Sequence, residues 1–131
     1  MRQRHISLEE AQEMLPFVRK RMAELRRLDR AIEILDNVGI MFDDEFLAMK
    51  QEIHENKKFH ELNAEFYSVL SELIGKGCIV KDLRRGLVDF YSMHQGKEIF
   101  LSYILGEDRI RFWRDIDCDF EQRKPISQLN R

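Results

Sequence analysis

From Leu15 to Leu35 apolar residues recur at steps of three and four: Leu15, Val18, Met22, Leu25, Ile32 and Leu35, with Leu28 beside them and Asp29 as the one gap. This spacing lays a single apolar stripe along a helix. A capping box opens it, because Ser7 can accept from a first-turn N–H while Glu10 reaches back to the N–H of Ser7. Pro16 removes the bond to the carbonyl of Gln12 and predicts a kink or a break there, and Asn37 and Gly39 mark the end. A second stripe runs through Phe46, Met49, Ile53, Phe59, Leu62, Phe66, Val69, Leu70 and Leu73, with Asp43 or Asp44 as N-cap and Gly75 and Gly77 as the stop. It thins where Asn56, His60 and Asn63 fall near the seam, and His60 is expected there as a buried polar residue that fixes register. Two such helices and a short turn predict an antiparallel hairpin over about 8–74.

The period then changes to two. Cys78–Asp82 reads as a strand, Leu83–Gly86 as a turn and Leu87–Met93 as a second strand. His94-Gln95-Gly96-Lys97 reads as a hairpin turn between that strand and Glu98–Leu105, and Arg109–Ile116 as the fourth. Pro125 is expected to close regular structure in a tail over 117–131. The expected fold is therefore α+β: one domain in which a long antiparallel helical hairpin packs on a four-stranded antiparallel β-meander over about 78–116.

Loops of even length would put Ile79, Leu83, Val88, Phe90, Ile99, Leu101, Tyr103, Leu105, Ile110, Phe112 and Ile116 on the core face, with Arg114 near an edge and in need of a partner. The other face would carry the rows Leu87–Ile104–Arg111, Asp89–Ser102–Trp113 and Tyr91–Phe100–Asp115. That face is too apolar for open solvent and too polar for a core. It is expected as a sheet back half-covered by the tail or a second subunit, or else as a ligand floor.

Composition narrows the classes. At 131 residues, with 44% hydrophobic and 35% charged, the chain suits one small globular domain with solvated helix faces. A net charge of −2 gives no overall attraction to nucleic acid or anionic membrane. Two cysteines make no disulfide framework, and the absence of a long apolar run or a leader-like start points to the cytoplasm and away from a membrane.

SLEEAQEMLPFVR at 7–19, followed by VKDLRRGLVDF, FLSYILGE, IRFW and a late Arg-Lys-Pro, resembles the prokaryotic family known as domain of unknown function 2203. The likeness runs from the capping box to Pro125, and its most specific parts are Arg85–Phe90 and Leu105-Gly106-Glu107 leading to Trp113. The resemblance implies a fold and no activity. It also leads to Cys-Trp where this chain has Ser102-Tyr103, Trp-His where it has Trp113-Arg114, and Gly-Phe where it has Asp119-Phe120.

No complete catalytic or cofactor motif is present, so no cofactor or metal is expected. His54 and His60, six apart, face different sides of a helix. Asp115-x-Asp117-x-Asp119 opens like a calcium loop, but Phe120 stands where a turning glycine is needed. The favoured reading is an interaction or small-ligand-binding module rather than an enzyme, with Arg85, Asp89, Ser102, Glu107, Arg111 and Trp113 as the candidate surface. The enzyme alternative uses Asp89, Arg85 and Glu107 as an acid/base site. Nucleic-acid contact through the basic stretch Arg19 to Arg30 is a lesser alternative, since such runs are commonly paired, solvated faces.

The hairpin is longer than the sheet can shelter. Leu28, Ile32, Leu35, Phe42, Phe46, Met49 and Ile53 are therefore expected contacts of a homodimer in which two hairpins form a bundle.

Overall fold

A computed structural model describes residues 5–37 and 45–129. Helix α1 spans Leu8–Asn37 and helix α2 spans Glu45–Gly75. The capping box forms as the sequence predicts: Glu10 N–H donates to Ser7 Oγ at 3.1 Å, and Ser7 N–H donates to Glu10 Oε1 at 3.3 Å. Helix α1 runs on through Pro16 without a break; the exposed ring costs one backbone bond on the solvent side. The expected caps at Asp43 or Asp44, and Gly39 and Phe42, lie outside the described residues, as does the side chain of Phe46.

The core is built on α1. Ala11, Leu15, Val18, Met22, Leu25 and Leu28 are each at most 2% exposed, and full burial of such an aliphatic side chain stabilises by ~1.5–3 kcal/mol. Helix α2 contributes less, with Val69 and Leu73 buried and Leu62, Phe66 and Leu70 packed alongside. His60 is exposed, contrary to expectation. The intramolecular seam runs through Phe59, Leu62 and Phe66 instead, so no polar group is needed to hold register there.

The sheet is an antiparallel meander of five strands in chain order: β1 Cys78–Asp82, β2 Leu87–His94, β3 Lys97–Ile104, β4 Phe112–Asp115 and β5 Lys124–Pro125. The fifth is the strand the sequence concealed. Pro125 sits on the edge, opposite Phe112, where no N–H is required of it. The β2–β3 turn is the expected two-residue one, with φ 51° at Gln95 and 76° at Gly96.

Two connections break the assumed parity. Strand β1 carries an irregularity between Val80 and Asp82, so Cys78 lies opposite Phe90 and Val80 opposite Val88, while Ile79 faces Asp89. The seven residues from Leu105 to Arg111 form an odd connection, and β4 pairs Leu101 with Trp113, Phe100 with Arg114 and Ser102 with Phe112. A slip of one residue exchanges faces. Ile79, Phe112 and Arg114, assigned from the sequence to the core face, therefore belong to the far side, and Trp113, assigned to the far face, lies on the core side with Cys78 and Val80. The β2–β3 rows Leu87–Ile104, Asp89–Ser102 and Tyr91–Phe100 are as expected.

Three polar side chains seven residues apart on α1 fasten the sheet's end loops. Gln12 brackets Ile110, accepting from its N–H at 3.0 Å and donating to its carbonyl at 3.3 Å. Arg19 donates to the carbonyls of Glu107 and Asp108 and to Tyr103 Oη. Arg26 donates to the carbonyls of Leu83 and Arg84. These bonds, half-buried at Glu107 and Ile110 and exposed at Leu83, Arg84 and Asp108, tie the loops against the helix.

Candidate functional site

The far face of the sheet holds a buried polar centre. Asp89 is 2% exposed, Ser102 1% and Arg114 4%. Asp89 Oδ1 accepts from Ser102 Oγ at 3.1 Å, Asp89 Oδ2 accepts from Arg114 Nη2, and Arg114 Nη1 donates to the Cys118 carbonyl. Each position follows from pairing: Asp89 and Ser102 are direct cross-strand partners, and Arg114 stands opposite Phe100, whose ring lies 4.6 Å below its guanidinium. Arg114 Nε is buried without a hydrogen-bond partner among the described residues.

The segment after β4 closes this face. Arg123 lies over both Phe112, at 4.3 Å, and Phe120, at 4.1 Å, and Arg85 also lies over the Phe120 ring, at 4.9 Å. Phe120 is held by the short turn Phe120–Gln122, where the Asp119 N–H donates to the Gln122 side chain. At the opposite end His5 stacks on Tyr91, with centroids 4.9 Å apart.

The six candidates of the sequence reading do not form one floor. Asp89 and Ser102 are together, and Arg85 sits at the rim of the same face, 54% exposed and 4.0 Å from Glu121. Trp113 lies on the other side of the sheet, its indole N–H donating to the Pro125 carbonyl and its ring under Lys124 Nζ at 4.9 Å. Arg111 is exposed and paired with Asp108 at 2.9 Å. Glu107 is a turn residue: its carboxylate accepts from the Ile104 N–H at 3.0 Å, and its carbonyl accepts from Tyr103 Oη. Arg114, read as an edge residue of the core face, is the member the sequence misplaced. An isolated arginine in an apolar strand was the available signal, since such a charge needs a buried partner.

Surface concavities lie elsewhere. One beside the sheet, about 390 Å³, runs between α1 and β5 and is lined by Leu8, Gln12, Arg109, Arg111, Ile126 and Ser127, among others. Another of about 290 Å³ is lined by His94, Lys97, Trp113, Asp115 and Lys124. In it Lys97, at 3.3 Å, and then Lys124, at 3.4 Å, hold the Asp115 carboxyl below its ordinary pKa. The acidic run is thus occupied at its first member by two ammonium groups, and no cluster of three metal-binding side chains occurs among the described residues. Burial pushes the Cys78 thiol up to about 12, whereas Cys118 is partly exposed.

The basic stretch is largely engaged inside the molecule. Arg19 and Arg26 clasp loops, and Arg21 pairs with Glu24 and Glu72 at 2.8 and 2.7 Å. Lys20, Arg27 and Arg30 remain on the surface. Among the described residues no helix is long and apolar enough to cross a membrane.

The family described as Uncharacterized conserved protein (DUF2203) matches residues 4–126. The chain belongs to this family. No curated protein and no solved structure matches it. In this DUF2203 protein, two of the positions where the resemblance leads to other residues, Ser102 and Arg114, meet on one carboxylate, that of Asp89. Serine there offers a hydroxyl donor and arginine a permanent cation, so both oxygens of Asp89 are committed to structural bonds.

Proposed function

We propose that this DUF2203 protein is an oligomeric interaction module: the sheet and the lower half of the hairpin form a rigid base, and the rest of the hairpin is the docking arm. One observation carries this reading. Thirty residues of α1 extend about 45 Å at ~1.5 Å each, whereas eight-residue strands span about 26 Å at ~3.3 Å each. Core packing stops at Leu28 on α1 and starts at Leu62 on α2, and beyond those points Ile34, Met49 and Ile53 are 56%, 52% and 62% exposed. Aliphatic groups gathered at one end of a helical arm are a surface for another helix. Of the expected contacts, Leu28 is spent in the protein's own core, while Ile32 and Leu35 are half-buried within the hairpin. The favoured partner is a second copy.

Sedimentation equilibrium across the micromolar range tests this. The expected mass exceeds 15.8 kDa and returns to it in Ile53→Asp. A chain that stays at 15.8 kDa throughout, unchanged by that substitution, refutes the reading.

A small-anion site is the second reading, favoured by the groove of about 390 Å³, whose wall carries Arg109 and Arg111 and no carboxylate, although both arginines also act on the nearby Asp108 carboxylate. An acid/base site at Asp89 has less support, because the carboxylate is fully bonded and the grooves described above do not reach it.

A further inference from the structure

Helix α2 carries a second stripe that the fold leaves uncovered. Ile53, Tyr67 and Ile74 are 62%, 62% and 59% exposed, and with exposed His60 they stand at strict seven-residue intervals. Ala64 and Ser71, also exposed, fall four residues after His60 and Tyr67 and complete the alternating four-three spacing of a coiled-coil seam. Lys57 occupies the corresponding place after Ile53. This stripe is distinct from the intramolecular seam of Phe59, Leu62, Phe66, Val69 and Leu73, which faces α1 and the sheet.

Charge changes sign across the middle of the stripe. Lys57 within it and Lys58 beside it precede the midpoint, Glu61 lies close to the midpoint, and Glu65 follows it; none of the four side chains has a hydrogen bond or ion pair among the described residues. A parallel neighbour would set like charges together, whereas an antiparallel copy sets lysines beside carboxylates. Small residues at Ala64 and Ser71 let a second helix approach closely.

We propose that α2 pairs with α2 of a second copy, in opposite directions, along Ile53, His60, Ala64, Tyr67 and Ser71. This inference rests on the interaction reading above, and it extends the contact from the arm along the outer face of α2 to Ala64, Tyr67 and Ser71, beside the base. Matching the two seams heptad against heptad sets His60 against the partner's Ala64 and Ile53 against the partner's Ser71. It also places Lys57 over the partner's Tyr67 ring and Lys58 beside the partner's Glu65. The two-fold axis then crosses α2 between His60 and Ala64, not at the hairpin tip.

Cysteine crosslinking of the full chain, in a Cys118→Ser background, tests the geometry. His60→Cys/Ala64→Cys is expected to give a covalent dimer on mild oxidation. Ile53→Cys is expected to give none, because its two copies would lie roughly 27 Å apart along the axis at ~1.5 Å per residue, far beyond the ~7 Å Cα limit of a disulfide. Lys58→Glu should weaken association, and Lys58→Glu/Glu65→Lys should restore it. Ile53, Lys58, His60, Ala64 and Glu65 are solvent-exposed and Cys118→Ser changes one atom of a half-buried side chain, so the variants should keep the fold. A covalent dimer from Ile53→Cys and none from the His60/Ala64 pair would overturn the inference while leaving the hairpin as the docking arm. A chain that never leaves 15.8 kDa overturns both.

Discussion

Removing the Arg114 guanidinium should destabilise the protein far more than removing both members of its ion pair. Arg114 and Asp89 are 4% and 2% exposed, so neither charge is answered by solvent when its partner goes. In Arg114→Met, Asp89 keeps only the Ser102 hydroxyl at 3.1 Å, the Cys118 carbonyl loses its donor, and the stacking on Phe100 becomes a weaker thioether contact. Breaking a buried pair from one side costs about 3–5 kcal/mol. At ~4 °C per kcal/mol for a chain of this size, that is a fall of roughly 12–20 °C in Tm. Asp89→Leu should cost a similar amount by stranding the guanidinium, whose Nε already has no hydrogen-bond partner among the described residues. The double variant Asp89→Leu/Arg114→Met replaces two desolvated charges with apolar side chains and should return to within about 2 kcal/mol of the parent. Urea unfolding followed by circular dichroism gives all four corners of the cycle. A cost below about 1 kcal/mol for either single variant, or a double variant equal to the sum of the singles, would refute the argument.

Gly86 has φ 72°, and a Cβ there would stand 2.7 Å from Leu105 Cβ and 3.0 Å from Arg26 Nη2, so Gly86→Val should cost at least ~1–3 kcal/mol; an unchanged denaturation midpoint would contradict this. With its thiol raised from an ordinary 9.0 to about 12, Cys78 should resist alkylation at pH 8 while Cys118 reacts. Because the folded value lies above the unfolded one, the neutral Cys78 thiol favours folding below pH 9 and that contribution is lost as pH rises from about 9 towards 12. Cys78→Ala, though less stable at pH 7 for loss of packing, should therefore show a shallower decline over that interval than the parent.

Much of this protein is legible in its sequence because the signals are local. The capping box at Ser7 and Glu10, the four-three spacing on α1, and turn residues such as Gly86, Gln95 and Gly96 act within a few positions of themselves, and each element formed where they put it. The meander of β2 and β3 followed from a two-residue turn whose length fixes parity. Parity failed wherever a connection could hide one residue. The irregularity at Lys81 and the odd loop from Leu105 to Arg111 leave no mark on hydrophobic alternation, yet each turns a strand over. For that reason only the tertiary structure decided that Trp113 faces the core and that Arg114 meets Asp89. Tertiary packing also decided the fate of the polar positions on the helices. Arg19 and Arg26 read as solvated residues, and Gln12 carries no signal at all, until the sheet's end loops arrive beneath them, since a side chain's partner is chosen by what the fold brings close to it, not by its neighbours in the chain. On α2 the apolar residues outnumber what one seam can bury, and the fold, by choosing Phe66 and Leu73 for the inside, left Ile53, Tyr67 and Ile74 outside.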